Sequence, residues 1–196
     1  MLLYEFDCVF APLASLRQGA LIEFMVKYFD QLYLDQNESL LLVREKITNA
    51  DNLDIGANTA SPVNLTLHSL FSQMSVEFNA KPVSDPNHVY PDRAYLKTLI
   101  NYSEDPEKPV SAARGGQKTA EHMNVIDVTK ANVGLRTRAV RFASSNVVKL
   151  IGRPQLDMFQ QDRLIPHKVD VHLKLIPTAN NFLIKSVAPQ QNGAEK

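Results

Sequence analysis

The run from Val169 to Leu175 constrains this chain more than any other, because polar and apolar side chains alternate along it without a break. Val169, Val171, Leu173 and Leu175 share one face, and Asp170, His172 and Lys174 share the other, so the segment reads as a strand with one buried and one wet face. Upstream, Leu156 to Gln160 reads as a shorter, less regular strand, with Pro166-His167-Lys168 as the break between the two. The pair would form a hairpin. A hairpin is stable only within a larger sheet, which the remaining residues must supply.

Taken in order, the other segments offer such a sheet. Ile22, Phe24, Val26 and Tyr28 fall on one face of a strand over 21–29, and Leu41, Val43 and Ile47 on one face of a strand over 40–47, with Arg44 and Lys46 outward. Residues 48–61 are rich in Asn, Asp, Gly and Ser and read as a loop. Val63, Leu67, Leu70, Phe71 and Met74 are spaced at three and four, which predicts a short helix from Pro62. Alternation returns at Val76 and Phe78, and 79–82 reads as a turn. A second helix is expected from Pro91, with Tyr95, Leu99 and Tyr102 packing it onto the sheet, and Leu99→Ala would then cost about 2–5 kcal/mol. From Ser103 to Arg141 the chain is polar, with Pro106, Pro109 and Gly115-Gly116, and reads as a long surface or intersubunit loop. Strands are expected again over 147–151 and 182–187.

About six strands with long connections predict a mainly β fold, a jelly-roll β-sandwich with short helices in its crossovers. The expected organisation is an N-terminal segment over 1–20, a single domain over 21–188 and a disordered tail over 189–196.

Charge and cysteine usage exclude several classes. Lys plus Arg and Asp plus Glu both number 21, so there is no basic excess of the kind that phosphate neutralisation requires, and no direct nucleic-acid reading is expected. The one basic concentration, Arg136, Arg138 and Arg141, reads as a solvated strand or loop face. Cys8 is the single cysteine, which rules out an intrachain disulfide or a thiolate metal cage. Glu5 and Asp7 stand where a signal peptide carries basic residues, and no apolar run is long enough to span a bilayer. An intracellular product without a membrane span is expected.

Catalytic patterns are missing too. The histidines, His68, His88, His122, His167 and His172, show no metal-ligand spacing, and His172 reads as a surface or interface side chain. Gly115-Gly116-Gln117-Lys118-Thr119 lacks the spacing of a phosphate loop, and no G-x-S-x-G elbow occurs. Asp162 beside Arg163 reads as a turn tied by charge-assisted hydrogen bonds. No catalytic residue, cofactor or metal is expected, and the chain is not read as an enzyme.

Three blocks stand in an order that carries a family resemblance: Leu67-His68-Ser69-Leu70-Phe71-Ser72-Gln73; then Tyr90-Pro91-Asp92-Arg93-Ala94-Tyr95-Leu96-Lys97-Thr98-Leu99-Ile100-Asn101-Tyr102; then Ile151-Gly152-Arg153 with Asp157, Phe159, Gln161-Asp162-Arg163 and Val169-Asp170-Val171. From about Ala11 to Val187 the sequence resembles the major capsid protein of Polinton/Maverick elements and adintoviruses, of the double jelly-roll lineage. The resemblance implies two jelly rolls in tandem, of which this chain is similar to the first. It also implies homotrimeric capsomers that tile a shell with other capsid subunits, so the expected partner is the chain itself and the expected location a virion or its assembly site. The sequence departs from the family pattern over Met1 to Val9, at Lys97 and Ser103, at Pro154 inside an expected strand, at Gln160, and over 166–168. A jelly-roll binding module for a glycan or cell-surface partner, a metal-dependent cupin-type enzyme and a non-assembling genomic copy are the alternatives.

Overall fold

The computed structural model describes residues 8–17, 19–27, 32–56, 60–84, 89–101 and 132–186. The readings on residues 1–7, Tyr28, Phe29, Tyr102, most of the 103–141 segment, His88, His122, the 115–119 run, Val187 and the 189–196 tail lie outside these.

Strands β1 (Ile22–Val26), β2 (Leu41–Glu45), β3 (Ala60–Pro62), β4 (Phe71–Phe78), β5 (Lys81–Pro82), β6 (Val148–Gly152), β7 (Val171–Pro177) and β8 (Ile184–Ser186) are joined by short helices: α1 (Thr66–Ser69), α2 (Tyr90–Asn101), α3 (Val133–Arg141) and α4 (Asn180–Leu183). The strands pair antiparallel in a four-stranded sheet of order β1-β7-β4-β5 and two ladders, β2-β6 and β3-β8. The architecture is therefore mixed α/β, mostly antiparallel sheet with a few short helices. None of the described sheets closes into a barrel.

β7 is the centre of the largest sheet, and its alternation is as the sequence predicts from Val171 onward. Val171 and Leu175 are buried, and Leu173 packs beside them with Ile22, Phe24 and Val26 of β1 and Met74, Val76 and Phe78 of β4. Leu41 and Val43 of β2 close on the same cluster, so the β2-β6 ladder forms a second layer. Ile47, Ile55, Ala60 and Phe142 make a smaller core, with Val148 and Ile184 against it.

Several expectations are corrected. The upstream partner of the supposed hairpin is a 3-10 turn over Asp157–Gln160, and β7 pairs instead with β1 and β4, which lie far away in sequence. The predicted helix from Pro62 shrinks to α1, because Phe71 and Met74 belong to β4. A register shift between Phe71 and Gln73 leaves Ser72 as an extra residue, so both Phe71 and Met74 turn inward at a spacing of three. A bulged strand thus imitates helical periodicity. Pro154 follows β6 rather than interrupting it, and no ladder donor is lost.

The basic segment is a helix and not a loop face. Asn132 caps α3 by accepting the Leu135 N–H at 3.0 Å, and Leu135 and Ala139 are buried. Arg138 is buried as well. Its Nε donates to the Pro62 carbonyl at 3.0 Å, and desolvation pulls its guanidinium down to about 10. Ser61 Oγ donates to the Leu135 carbonyl at 3.0 Å, fixing α3 against β3.

Candidate functional site

The three family-like blocks meet in space around Tyr90, which sits in the first turn of α2 and is 3 % exposed. Its hydroxyl accepts the Gln155 backbone N–H at 3.2 Å and shares a hydrogen bond of 3.0 Å with Nδ1 of His68, itself buried on α1. Gln155 Oε1 accepts Gln160 Nε2 at 2.6 Å, and Gln160 Oε1 accepts Lys97 Nζ at 3.1 Å. Lys97 Nζ also donates to Asp157 at 2.6 Å, and the Arg93 guanidinium donates to the other carboxylate oxygen. One polar chain therefore runs from His68 to Arg93. It fastens α1 and α2 to the segment that follows β6.

Lys97 on α2 and Gln160 in the 3-10 turn are hydrogen-bonded to each other. The cation and the amide fill one another's need for a partner.

Electrostatics make this a clamp rather than a proton shuttle. Hydrogen bonds from Lys97 and Arg93 hold the Asp157 carboxyl below its usual range, and a carboxylate so held is a poor base. Arg93 and Lys97 stand one turn apart on the same face of α2, which is why a single carboxylate receives both.

A second cluster lies on the outer face of the four-stranded sheet. His172 Nε2 is 3.2 Å from Glu23 on β1, its Nδ1 is 3.5 Å from Glu77 on β4, and Lys174 Nζ is 2.5 Å from Glu77. Glu77 stands directly across from His172, and Glu23 across from Lys174, so the strand register creates the cluster. The Lys174 hydrogen bond, above all, lowers the Glu77 carboxyl. His172 thus lies between the Glu23 and Glu77 carboxylates on that face.

The sequence-selected residues divide by role. Leu67, Phe71, Tyr90 and Phe159 are core, and Leu70 packs against it. Pro91 and Tyr95 line a shallow depression of about 160 Å3 with Asn64, Ser69, Asp92 and Phe182. Gly152 ends β6, and Arg153 donates to Asn37 Oδ1 at 2.7 Å, with Glu38 at 3.5 Å. Leu99 is 45 % exposed, so it does not pack α2 onto the sheet; Tyr90 and Ala94 do that. Gln161, Asp162 and Arg163 are exposed, and no side-chain bond joins Asp162 to Arg163. Instead, the Arg163 carbonyl accepts Gln36 Nε2 at 2.7 Å. Gln155 and Glu45 were not selected. A buried glutamine between Pro154 and Leu156 carries no periodic signal, whereas Glu45 falls on the same alternating face as Leu41 and Val43.

No group of three or more His, Cys, Asp or Glu residues among the described ones is arranged to hold a metal ion. Nor is any described helix long and apolar enough to cross a membrane. No protein-family model matches the chain, and no curated protein matches it.

Proposed function

We propose that this chain is a structural protein that associates with copies of itself, as the first jelly roll of a major capsid protein of the Polinton/Maverick and adintovirus type. The observation that carries the reading is the convergence of the three family-like blocks on one hydrogen-bonded frame, from His68 through Tyr90 and Gln155 to Lys97, Asp157 and Arg93. Blocks far apart in sequence are thereby fastened into one fold. Antiparallel strands in two packed layers with long connections agree with a jelly roll.

A shell subunit works by burying surface against symmetric neighbours and needs no reaction centre. Its place would be the virion or the site where virions assemble. Light scattering on the 196-residue chain over a range of concentrations, with electron microscopy of the concentrated sample, tests this. Trimers or larger closed assemblies are the expected result. A monomer at every concentration overturns it.

A further inference from the structure

The β2-β6 ladder turns Leu41 and Val43 inward and leaves its other face uncovered among the described residues. On that face Leu42 stands across from Ile151, and Arg44 across from Lys149, and all four side chains are exposed. Like charges directly opposite one another weaken an antiparallel pair. Neither cation meets a carboxylate among the described residues, so the face carries two uncompensated positive charges beside an apolar pair.

Its complement lies on the same chain. Between the Thr48–Asp54 bridge, the Asn49 N–H donates to the Leu53 carbonyl at 2.9 Å and the Asn52 N–H to the Asn49 carbonyl at 3.0 Å, with Asn52 in the left-handed region. The tight turn holds Asp51, Leu53 and Asp54 in solvent, and neither carboxylate has a partner among the described residues. Next to it, Ser145 Oγ accepts the Ile55 N–H at 2.9 Å and donates to the Ile47 carbonyl at 2.6 Å, which anchors the turn to the smaller core. Such a turn loses little freedom on binding.

We propose that the outer face formed by Leu42, Arg44, Lys149 and Ile151 docks the Asp51–Leu53–Asp54 turn of a second copy of this chain. Two carboxylates flanking a leucine match two cations beside a leucine and an isoleucine in both charge and character. The contact rests on the self-association proposed above and names the surfaces that make it. Because both sides are exposed charges, it weakens as salt rises.

Sedimentation of the full chain over a concentration series tests the pairing. R44E/K149E and D51K/D54K should each weaken association by about tenfold or more, and the fourfold charge swap should restore most of it. Circular dichroism identifies any variant that fails to fold; R44Q/K149Q and D51N/D54N then replace it and should weaken association in the same direction. A wild-type assembly indifferent to either double substitution overturns this contact while leaving self-association standing. Failure of the fourfold swap to restore association overturns the pairing of these two surfaces. A wild-type monomer throughout overturns both this contact and the capsid reading.

Discussion

His68 on α1 and Tyr90 on α2 meet through a 3.0 Å hydrogen bond at a point where both side chains are almost wholly buried. The same phenol accepts the Gln155 amide, so one oxygen joins three segments that are separate in sequence. Removing that oxygen while keeping the ring should expose its importance. Tyr90→Phe is expected to destabilise the fold by about 1–3 kcal/mol, the usual cost of depriving buried polar groups of a partner. Urea denaturation of both proteins measures it, and an unchanged midpoint would show that this hydroxyl contributes nothing.

Leu67 and Leu99, both in the family-like blocks, should behave oppositely. Leu67 is 1 % exposed, so Leu67→Ala should cost about 2–5 kcal/mol through lost burial and the cavity left behind. Leu99→Ala should stay within about 0.5 kcal/mol of the parent, as surface changes do. Thermal melts of the two variants side by side decide this.

The β4-β5 hairpin closes through Asn79 and Ala80, both with positive φ, at 48° and 63°. Two-residue hairpin turns of this hand favour Asn-Gly, and an alanine held there suffers Cβ crowding. Ala80→Gly should therefore stabilise the protein, by about 1 kcal/mol once the added freedom of glycine in the unfolded chain is subtracted. A lower melting temperature would contradict the turn geometry.

Glu45 faces inward from β2, and burial raises its carboxyl from 4.5 to about 7. Its Oε1 makes no hydrogen bond among the described residues. Between these two values the folded protein retains a proton that the unfolded chain releases, so stability falls as pH rises through that window and levels off above it. Glu45→Gln removes the titration. The variant should match the parent near pH 4.5 and exceed it at pH 8 by an amount on the order of 2–3 kcal/mol. Denaturation curves at the two pH values check the sign; a variant less stable at pH 8 would refute the desolvation.

Local period by itself determined where β1, β2, β6 and β7 run and, for β1, β2 and β7, which face is buried, because alternation is a property of consecutive residues. It also marked the start of α2 at the Tyr90-Pro91 step and the turn after Phe78. For α3 the signal was present in Leu135, Ala139 and Phe142 behind the Asn132 cap, but the density of polar residues hid it. Of the frame, the family-like blocks pointed to Tyr90, Arg93 and Asp157, while Lys97 and Gln160 stood out only as departures.

Tertiary structure decided the rest. Residues 71–78 are a strand because β7, a hundred residues later, offers them a ladder, and the bulge at Ser72 gives them a spacing that looks helical in isolation. Residues 157–160 form a 3-10 turn that carries Asp157 to Arg93 and Lys97 and Gln160 to Lys97, contacts that span about sixty residues. Glu45 is desolvated because it lies on the inward face of β2, the face whose Leu41 and Val43 pack against the main core. Periodicity records which face of a segment is apolar; which segment covers that face, and which polar groups then find each other, depends on pairing between distant parts of the chain.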